Sequence, residues 1–281
     1  MPLLHLLILA VVQGITEFLP ISSSGHLVLV WEVFDSLGQG VEQDPANRLV
    51  LDIAVHVGTL LAVCAYFWRD IGAMLAGGLR LCIGRVTPGG RLLLYVIAAT
   101  LPLIAAGVAL KTTVALDLRG LEIVAWATLG FGVLLYIADR MGMMILRVEH
   151  MGLGSALAIG VAQILALIPG TSRSGITMTA ARFLGFERAE AARFSMLLAI
   201  PAILGAGTLA GLDLRDSGDL ALTRSALLAA LLAFIAALMA IAVLMQWLKR
   251  ASFTPFVVYR ILLGLLLLAL LYGPGLAGPA G

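Results

Sequence analysis

The sequence predicts an all-α polytopic membrane protein with six full transmembrane helices and two re-entrant helical hairpins, arranged as an inverted repeat. Three observations predict it. Of the 281 residues, 61% are hydrophobic and 12% charged, with a mean hydropathy of +1.07. That is far more apolar surface than a soluble core of this length hides. Six apolar stretches are long enough for a bilayer core of about 30 Å, which needs roughly 20 helical residues. Two further apolar stretches are each broken in the middle by a polar loop.

The first element, 3–34, is interrupted by Pro20-Ile21-Ser22-Ser23-Ser24-Gly25-His26. It lacks the basic leading region and small-residue cleavage site of a removable leader, and Gln13, Thr16 and Glu17 break its apolar face, so it reads as retained structure. Crossings follow at about 49–68, 92–110 and 121–138. The second broken stretch, 152–187, carries Pro169-Gly170-Thr171-Ser172-Arg173-Ser174-Gly175, and crossings at about 190–211, 225–247 and 256–272 complete the chain. Asp213, Asp216 and Asp219 read as a solvated connection, and the alanine and leucine runs as packing or lipid-facing helix. Cys64 and Cys82 have no metal or redox spacing and read as structural thiols. Irregular backbone survives at membrane depth only when it is buried in protein or lines a wet cavity. The two loops are therefore the site candidates.

Orientation follows from loop charge, because Lys and Arg accumulate on the cytoplasmic side. Arg69, Arg80, Arg85, Arg91, Arg140, Arg147, Arg182, Arg188, Arg193, Lys249 and Arg250 fall on one side, against Arg48, Lys111, Arg119, Arg215 and Arg224 on the other, a bias of eleven to five. Both termini are then outside, and the hairpins enter from opposite faces with their tips near the midplane. The pI of about 8.7 comes from scattered charges with no basic run, which argues against a nucleic acid partner.

A shift of 150 positions lays Gln13 on Gln163, Ser22 on Ser172, Ser24 on Ser174 and Gly25 on Gly175. The chain thus reads as a single membrane domain, 1–281, with repeat halves of about 1–140 and 151–275. Three crossings per half make the second half run upside down. That plan is common in transporters, so a lipid or ion transporter, or a flippase, is the alternative to an enzyme.

Ionisable residues within membrane segments are costly and are functional candidates by default. Glu17 lies four residues after Gln13, on the same helical face, where a carboxylate can hold a divalent cation or act as an acid or base. Ser22, Ser23, Ser24, Gly25 and His26 gather hydroxyls and an imidazole at a helix start, where free N–H groups and the dipole favour anions; N-capping accounts for one of the serines. Gly170, Thr171, Ser172, Ser174 and Gly175 repeat the theme around a buried Arg173, whose planar fork suits phosphate oxygens. Asp52 and His56 either extend the same polar set or satisfy each other. Arg260 reads as a snorkelling or structural charge.

Residues 13–26, Gln13-Gly14-Ile15-Thr16-Glu17-Phe18-Leu19-Pro20-Ile21-Ser22-Ser23-Ser24-Gly25-His26, and the second loop resemble the two signature motifs of the undecaprenyl-diphosphate phosphatases, the bacitracin-resistance family. The resemblance extends to Phe194-Ser195-Met196-Leu197-Leu198-Ala199-Ile200-Pro201 and to Ser252-Phe253-Thr254-Pro255-Phe256-Val257-Val258-Tyr259-Arg260. It implies hydrolysis of a polyprenyl diphosphate lipid to the monophosphate and inorganic phosphate, at the outer side of the bacterial inner membrane, with Mg²⁺ or Ca²⁺ and as a homodimer. The family carries Glu or Gln at the position of Gln13; here it is the neutral version. Together the residues and the resemblance make Glu17, Ser23, His26 and Arg173 the catalytic candidates, with Gln13 and Glu17 on the cation. Ser23 is the preferred nucleophile, with His26 as its base or as the leaving-group acid; phosphohistidine at His26 or direct attack by water are the rivals.

Overall fold

The computed structural model describes residues 3–36, 45–113, 120–217 and 220–272. Among these, helix follows helix: α1 (Leu3–Thr16), α2 (Ser23–Ser36), α3 (Pro45–Tyr66), α4 (Trp68–Leu81), α5 (Pro88–Thr113), α6 (Leu121–Met141), α7 (Leu153–Gln163), α8 (Arg173–Phe183), α9 (Arg188–Ser217), α10 (Leu220–Leu248) and α11 (Thr254–Tyr272). Short 3₁₀ turns occupy Val148–His150 and Ile164–Leu167. The one departure from helix and loop among the described residues is an isolated bridge between Leu146 and Phe186. The chain is an all-α polytopic membrane protein.

Five described helices are long and apolar enough to cross a membrane: Arg48–Tyr66, Pro88–Leu110, Leu121–Met141, Leu222–Leu248 and Thr254–Tyr272. The sixth expected crossing, 190–211, falls on α9, whose side chains from residue 206 onward lie outside the described residues. Asp213 and Asp216 sit on the backbone of α9 rather than in a loop; Asp219 lies outside the described residues. Both broken stretches are indeed broken. Each of α1 and α2 has 14 residues, about 21 Å at roughly 1.5 Å per residue, too short to span a core of about 30 Å.

The chain divides into two compact units that interleave along the sequence: Met1–Leu19, His26–Ile97 and Arg193–Gln246 in the first, Pro20–Gly25, Ala98–Ala192 and Trp247–Gly281 in the second. Each takes segments from both expected halves. In the first unit, Leu6 and Ala10 of α1, Leu51 and Val55 of α3, and Ala229 and Ala233 of α10 form one core cluster. The approach is close enough that a Cβ on Gly14 would lie 2.6 Å from the Ala236 Cβ and 2.9 Å from the Ala233 carbonyl. Small residues facing each other are what lets membrane helices pack where lipid competes equally for apolar side chains.

Helix α4 also belongs to the first unit and was not expected. Its Met74 and Gly77 are buried, Trp68, Leu75 and Leu79 are exposed, and Asp70 forms an ion pair with Arg193. Cys64 is half-buried, Cys82 exposed, and both are free thiols.

In the second unit α6 packs along α11 and against α8, and α8 packs against α7. Asp139, near the end of α6, is 4% exposed and gathers donors from three other segments. It accepts from Arg182 Nε at 3.2 Å, Arg188 Nε at 2.7 Å and the Phe253 amide at 3.2 Å. Arg182, itself fully buried, also donates to the carbonyls of Phe186, Asp139 and Gly142. Arg182 is therefore an interior tie, not a loop charge of the kind counted for orientation.

Candidate active site

The first unit carries the carboxylate. Gln13 and Glu17 lie one turn apart and buried, and Gln13 Nε2 donates to Glu17 Oε2 at 2.8 Å. His56 on α3 places its Nε2 3.6 Å from the same Oε2, while its Nδ1 stands 2.6 Å from the carbonyl oxygen of Asp52. The Asp52 and His56 side chains do not satisfy each other. Asp52 Oδ1 accepts from the Trp31 indole at 3.0 Å, and the imidazole turns to Glu17 instead. Only His56 extends the polar set.

The second unit carries both serine loops, and they share one backbone device. Ser22 at φ 73° and Ser172 at φ 71° are the non-glycine residues of positive φ among those described. Such a conformation costs about 1–3 kcal/mol. It is held by capping. Ser22 Oγ accepts the Gly25 amide at 3.4 Å, and Ser172 Oγ accepts the Gly175 amide at 3.1 Å. Each capping hydroxyl also meets the next serine but one, Ser22 with Ser24 at 3.4 Å and Ser172 with Ser174 at 3.1 Å. Both loops thus deliver the positive end of a helix dipole behind a serine pair.

Around these caps, Ser23 and His26 are half-buried in the first turn of α2, Ser24 is exposed and Gly25 buried; Ser174 and Gly175 are buried. Arg173 opens α8 half-buried, not as the deeply buried arginine expected. Thr171 is fully buried and its Oγ1 has no hydrogen-bond partner among the described residues.

The deeply buried arginine beside the loops is Arg260. It does not snorkel: it is 0% exposed and spends its guanidinium on backbone carbonyls. Its Nε donates to Thr128 O at 3.1 Å and its Nη1 to Pro20 O at 3.3 Å. Its Nη2 donates to Gly170 O and Thr171 O at 3.0 Å each, and to Ala127 O at 3.4 Å. One side chain therefore holds carbonyls of both loops. Sequence reading missed this role because the partners are carbonyls, which carry no residue identity.

Gly170 is fixed by the same assembly. Its φ is +91°, and a Cβ there would fall 2.5 Å from Val124 O and 2.9 Å from Val124 Cα. Gly170→Ala is expected to lower the thermal midpoint in detergent, with a cost on the order of 3 kcal/mol or more from overpacking and backbone strain together. Gly130→Ala, at a helical glycine with nothing within 4 Å, is the control and should leave the midpoint unchanged or slightly raised.

No group of three or more His, Cys, Asp or Glu side chains suited to a metal gathers among the described residues. The oxygen pair of Gln13 and Glu17 nevertheless fits a hard divalent cation. Gln13 is fully buried, and its Oε1 has no hydrogen-bond partner among the described residues. Mg²⁺ in particular is commonly held by one or two protein oxygens, with the rest from phosphate and water.

The profile of the bacitracin resistance protein BacA family matches residues 6–266. The chain is 52% identical over 284 residues to "Undecaprenyl-diphosphatase 1" of Rhodospirillum rubrum, covering 99% of this chain and 98% of that protein. It is 49% identical to "Undecaprenyl-diphosphatase" of Roseobacter denitrificans and 47% identical to that of Ruegeria pomeroyi, in each case over 97% of this chain and 100% of the relative. A match spanning both serine loops, the Gln13–Glu17 turn and the Arg260 clamp places this chain in the bacitracin resistance protein BacA family.

Proposed function

We propose that this chain hydrolyses undecaprenyl diphosphate to undecaprenyl phosphate and inorganic phosphate, recycling the cell-wall lipid carrier and so conferring bacitracin resistance. The observation that carries the reading is the pair of serine-capped helix starts, α2 and α8. Two helix N-termini, with Arg173 on one of them, suit the two linked phosphates of a diphosphate. The names of the relatives supply the lipid, and none of them favours the transporter alternative.

Arg173, with the first-turn amides and with Ser172, Ser174 and Thr171, stabilises charge on the phosphoryl oxygens. Ser22, Ser24 and Gly25 shape the other helix start. Gln13 and Glu17 hold Mg²⁺ or Ca²⁺, which when bound would neutralise charge on the diphosphate. Ser23 Oγ attacks the terminal phosphorus as His26 takes its proton, the lipid monophosphate leaves, and water releases the phosphate from Ser23. Attack by His26 itself, or by water, is the competing course. Positioning and charge neutralisation supply most of the rate, as in phosphoryl transfer generally.

The matched capping of Ser22 and Ser172 supports an inverted repeat with re-entrant hairpins and halves of about 1–140 and 151–275. The loop-charge bias supports both termini outside the bacterial inner membrane and a site open to the outer face. A homodimer rests on the family resemblance alone.

Inorganic phosphate release from undecaprenyl diphosphate by the detergent-purified protein tests the reading. Release abolished by EDTA, and reduced by about 10³-fold in Glu17→Gln and Arg173→Ala that stay monodisperse, is the expected result. For Arg173 a figure of that size is what loss of one charge-stabilising donor costs in a preorganised site, and for Glu17 it follows from loss of the carboxylate that would hold the cation. No release with any divalent cation from folded wild-type protein would overturn it.

A further inference from the structure

The cation reading just given leaves one side chain of the first unit unexplained. His56 turns its Nε2 toward the carboxylate that is to hold the cation, at a distance too long for a hydrogen bond. Its other nitrogen is committed: Nδ1 stands 2.6 Å from the Asp52 carbonyl oxygen. A carbonyl only accepts, so Nδ1 carries the proton, and in the neutral imidazole the lone pair is on Nε2. That tautomer, fixed by a backbone carbonyl behind it, is the usual arrangement of a metal-binding histidine.

We propose that His56 Nε2 is a direct ligand of the divalent cation held by Glu17 and Gln13, so that the site is a mixed nitrogen–oxygen site that takes Mn²⁺ ahead of Ca²⁺. The proposal rests on the cation reading of Gln13 and Glu17 and adds to it a third donor and a metal preference. Three observations converge on it.

The 3.6 Å between Nε2 and Glu17 Oε2 is a separation two ligands of one cation keep. With metal–ligand bonds of about 2.1–2.3 Å it subtends an angle of roughly 100–120° at the metal. The second observation is the fully buried Gln13 amide oxygen, which has no hydrogen-bond partner among the described residues, although its amide nitrogen is tied to that same Oε2 at 2.8 Å. A cation in reach of Oε2 gives that oxygen its partner. The third is access. The His56 side chain is 31% exposed and that of Glu17 only 5%, so the carboxylate is enclosed while the imidazole side stays open for water or phosphate oxygens to complete the shell.

Donor chemistry sets the preference. Mn²⁺ is a hard cation that still accepts an imidazole nitrogen among carboxylate oxygens, whereas Ca²⁺ takes oxygen almost exclusively. Asp52 stays outside the set, because its carboxylate is engaged by the Trp31 indole.

The test uses the full-length protein in detergent, purified without a histidine tag, titrated with MnCl₂ alone and followed by electron paramagnetic resonance. Wild type should bind Mn²⁺ with electron spin-echo modulation from a directly bound ¹⁴N. His56→Gln should lose that modulation and weaken Mn²⁺ binding by about tenfold or more while changing Ca²⁺ competition by less than about threefold, the direction that exchange of imidazole for an amide oxygen dictates. Glu17→Gln should abolish binding of both metals. If Glu17→Gln abolishes binding but His56→Gln keeps both the nitrogen modulation and the affinity, the His56 ligand is overturned and the Gln13–Glu17 site stands. If neither substitution affects binding, the cation reading falls and this one with it. Wild-type protein that binds Mn²⁺ with no nitrogen modulation overturns the proposal whether or not the variant folds, and leaves His56 as an ion-pair partner of Glu17.

Discussion

Arg260→Ala is expected to lower phosphate release by about a hundredfold or more, although this fully buried residue spends its guanidinium on backbone carbonyls. Its guanidinium serves five carbonyls, three of them in the two loops. Truncation removes this donor from all five; Gly170 O keeps the Thr128 hydroxyl at 3.4 Å, and each carbonyl left unmatched costs about 1–3 kcal/mol. The loops would relax toward whatever donors remain, and a displacement on the order of 1 Å in a positioned site is enough for a hundredfold loss. Arg260→Lys is the sharper experiment. It keeps the charge but replaces a five-donor planar fork by a single ammonium, which cannot reach both Pro20 and Thr128. If geometry is the role of Arg260, the lysine variant remains folded yet stays at least about tenfold below wild type. Full activity in the lysine variant would show that the charge alone matters. The same clamp explains why Gly175 has no side chain, since a Cβ there would lie 2.9 Å from Arg260 Nη1.

Asp139→Ala has the largest expected effect on stability. Removing the one carboxylate leaves the fully buried Arg182 with no counter-charge on its Nε, and frees the Phe253 amide of its acceptor. Breaking a buried ion pair from one side costs about 3–5 kcal/mol. The measurement is the thermal midpoint of the detergent-purified protein, which should fall well below that of wild type. The double variant Asp139→Leu with Arg182→Met should recover most of the loss, because replacing both members by apolar residues removes the desolvation penalty along with the attraction. Arg188, partly exposed at 20%, can turn to water in that background. A double variant no better than Asp139→Ala would mean that the carbonyl contacts of Arg182, and not the charge pair, hold this end of α8.

Much of this fold was legible because lipid makes harsh demands on sequence. Long apolar runs announced the crossings, and Pro, Gly and Ser clusters inside two of those runs announced the breaks between α1 and α2 and ahead of α8. The self-match at 150 positions turned out to have a backbone counterpart in Ser22 and Ser172. Helix α4 escaped notice because its apolar residues cover only one face, leaving too little mean hydropathy to stand out beside a true crossing. Arg182 and Arg260 were misjudged, and Asp139 passed over, for a common reason. A charge at the edge of an apolar segment looks the same in sequence whether it reaches water or turns inward, and only the partners decide. Those partners are backbone carbonyls, or residues more than 40 positions away. The site fared in the same way: Gln13, Glu17 and the serines stood out by type, while the inward turn of His56 did not.

The two serine caps carry a consequence for how such a protein can change. The caps match, but the residues around them do not: at a spacing of 150, Glu17 corresponds to Leu167, Ser23 to Arg173, and the half-buried His26 to the buried Ile176. The loops behave as two copies of one socket fitted with different tools. Because each hydroxyl closes its own loop onto its own helix, the displayed side chains can be exchanged singly without recasting the socket. A chain built this way can vary one copy independently of the other, and redesign toward other phosphorylated lipids has its adjustable positions at the half-buried 23, 26 and 173 rather than at the serines that keep the sockets shut.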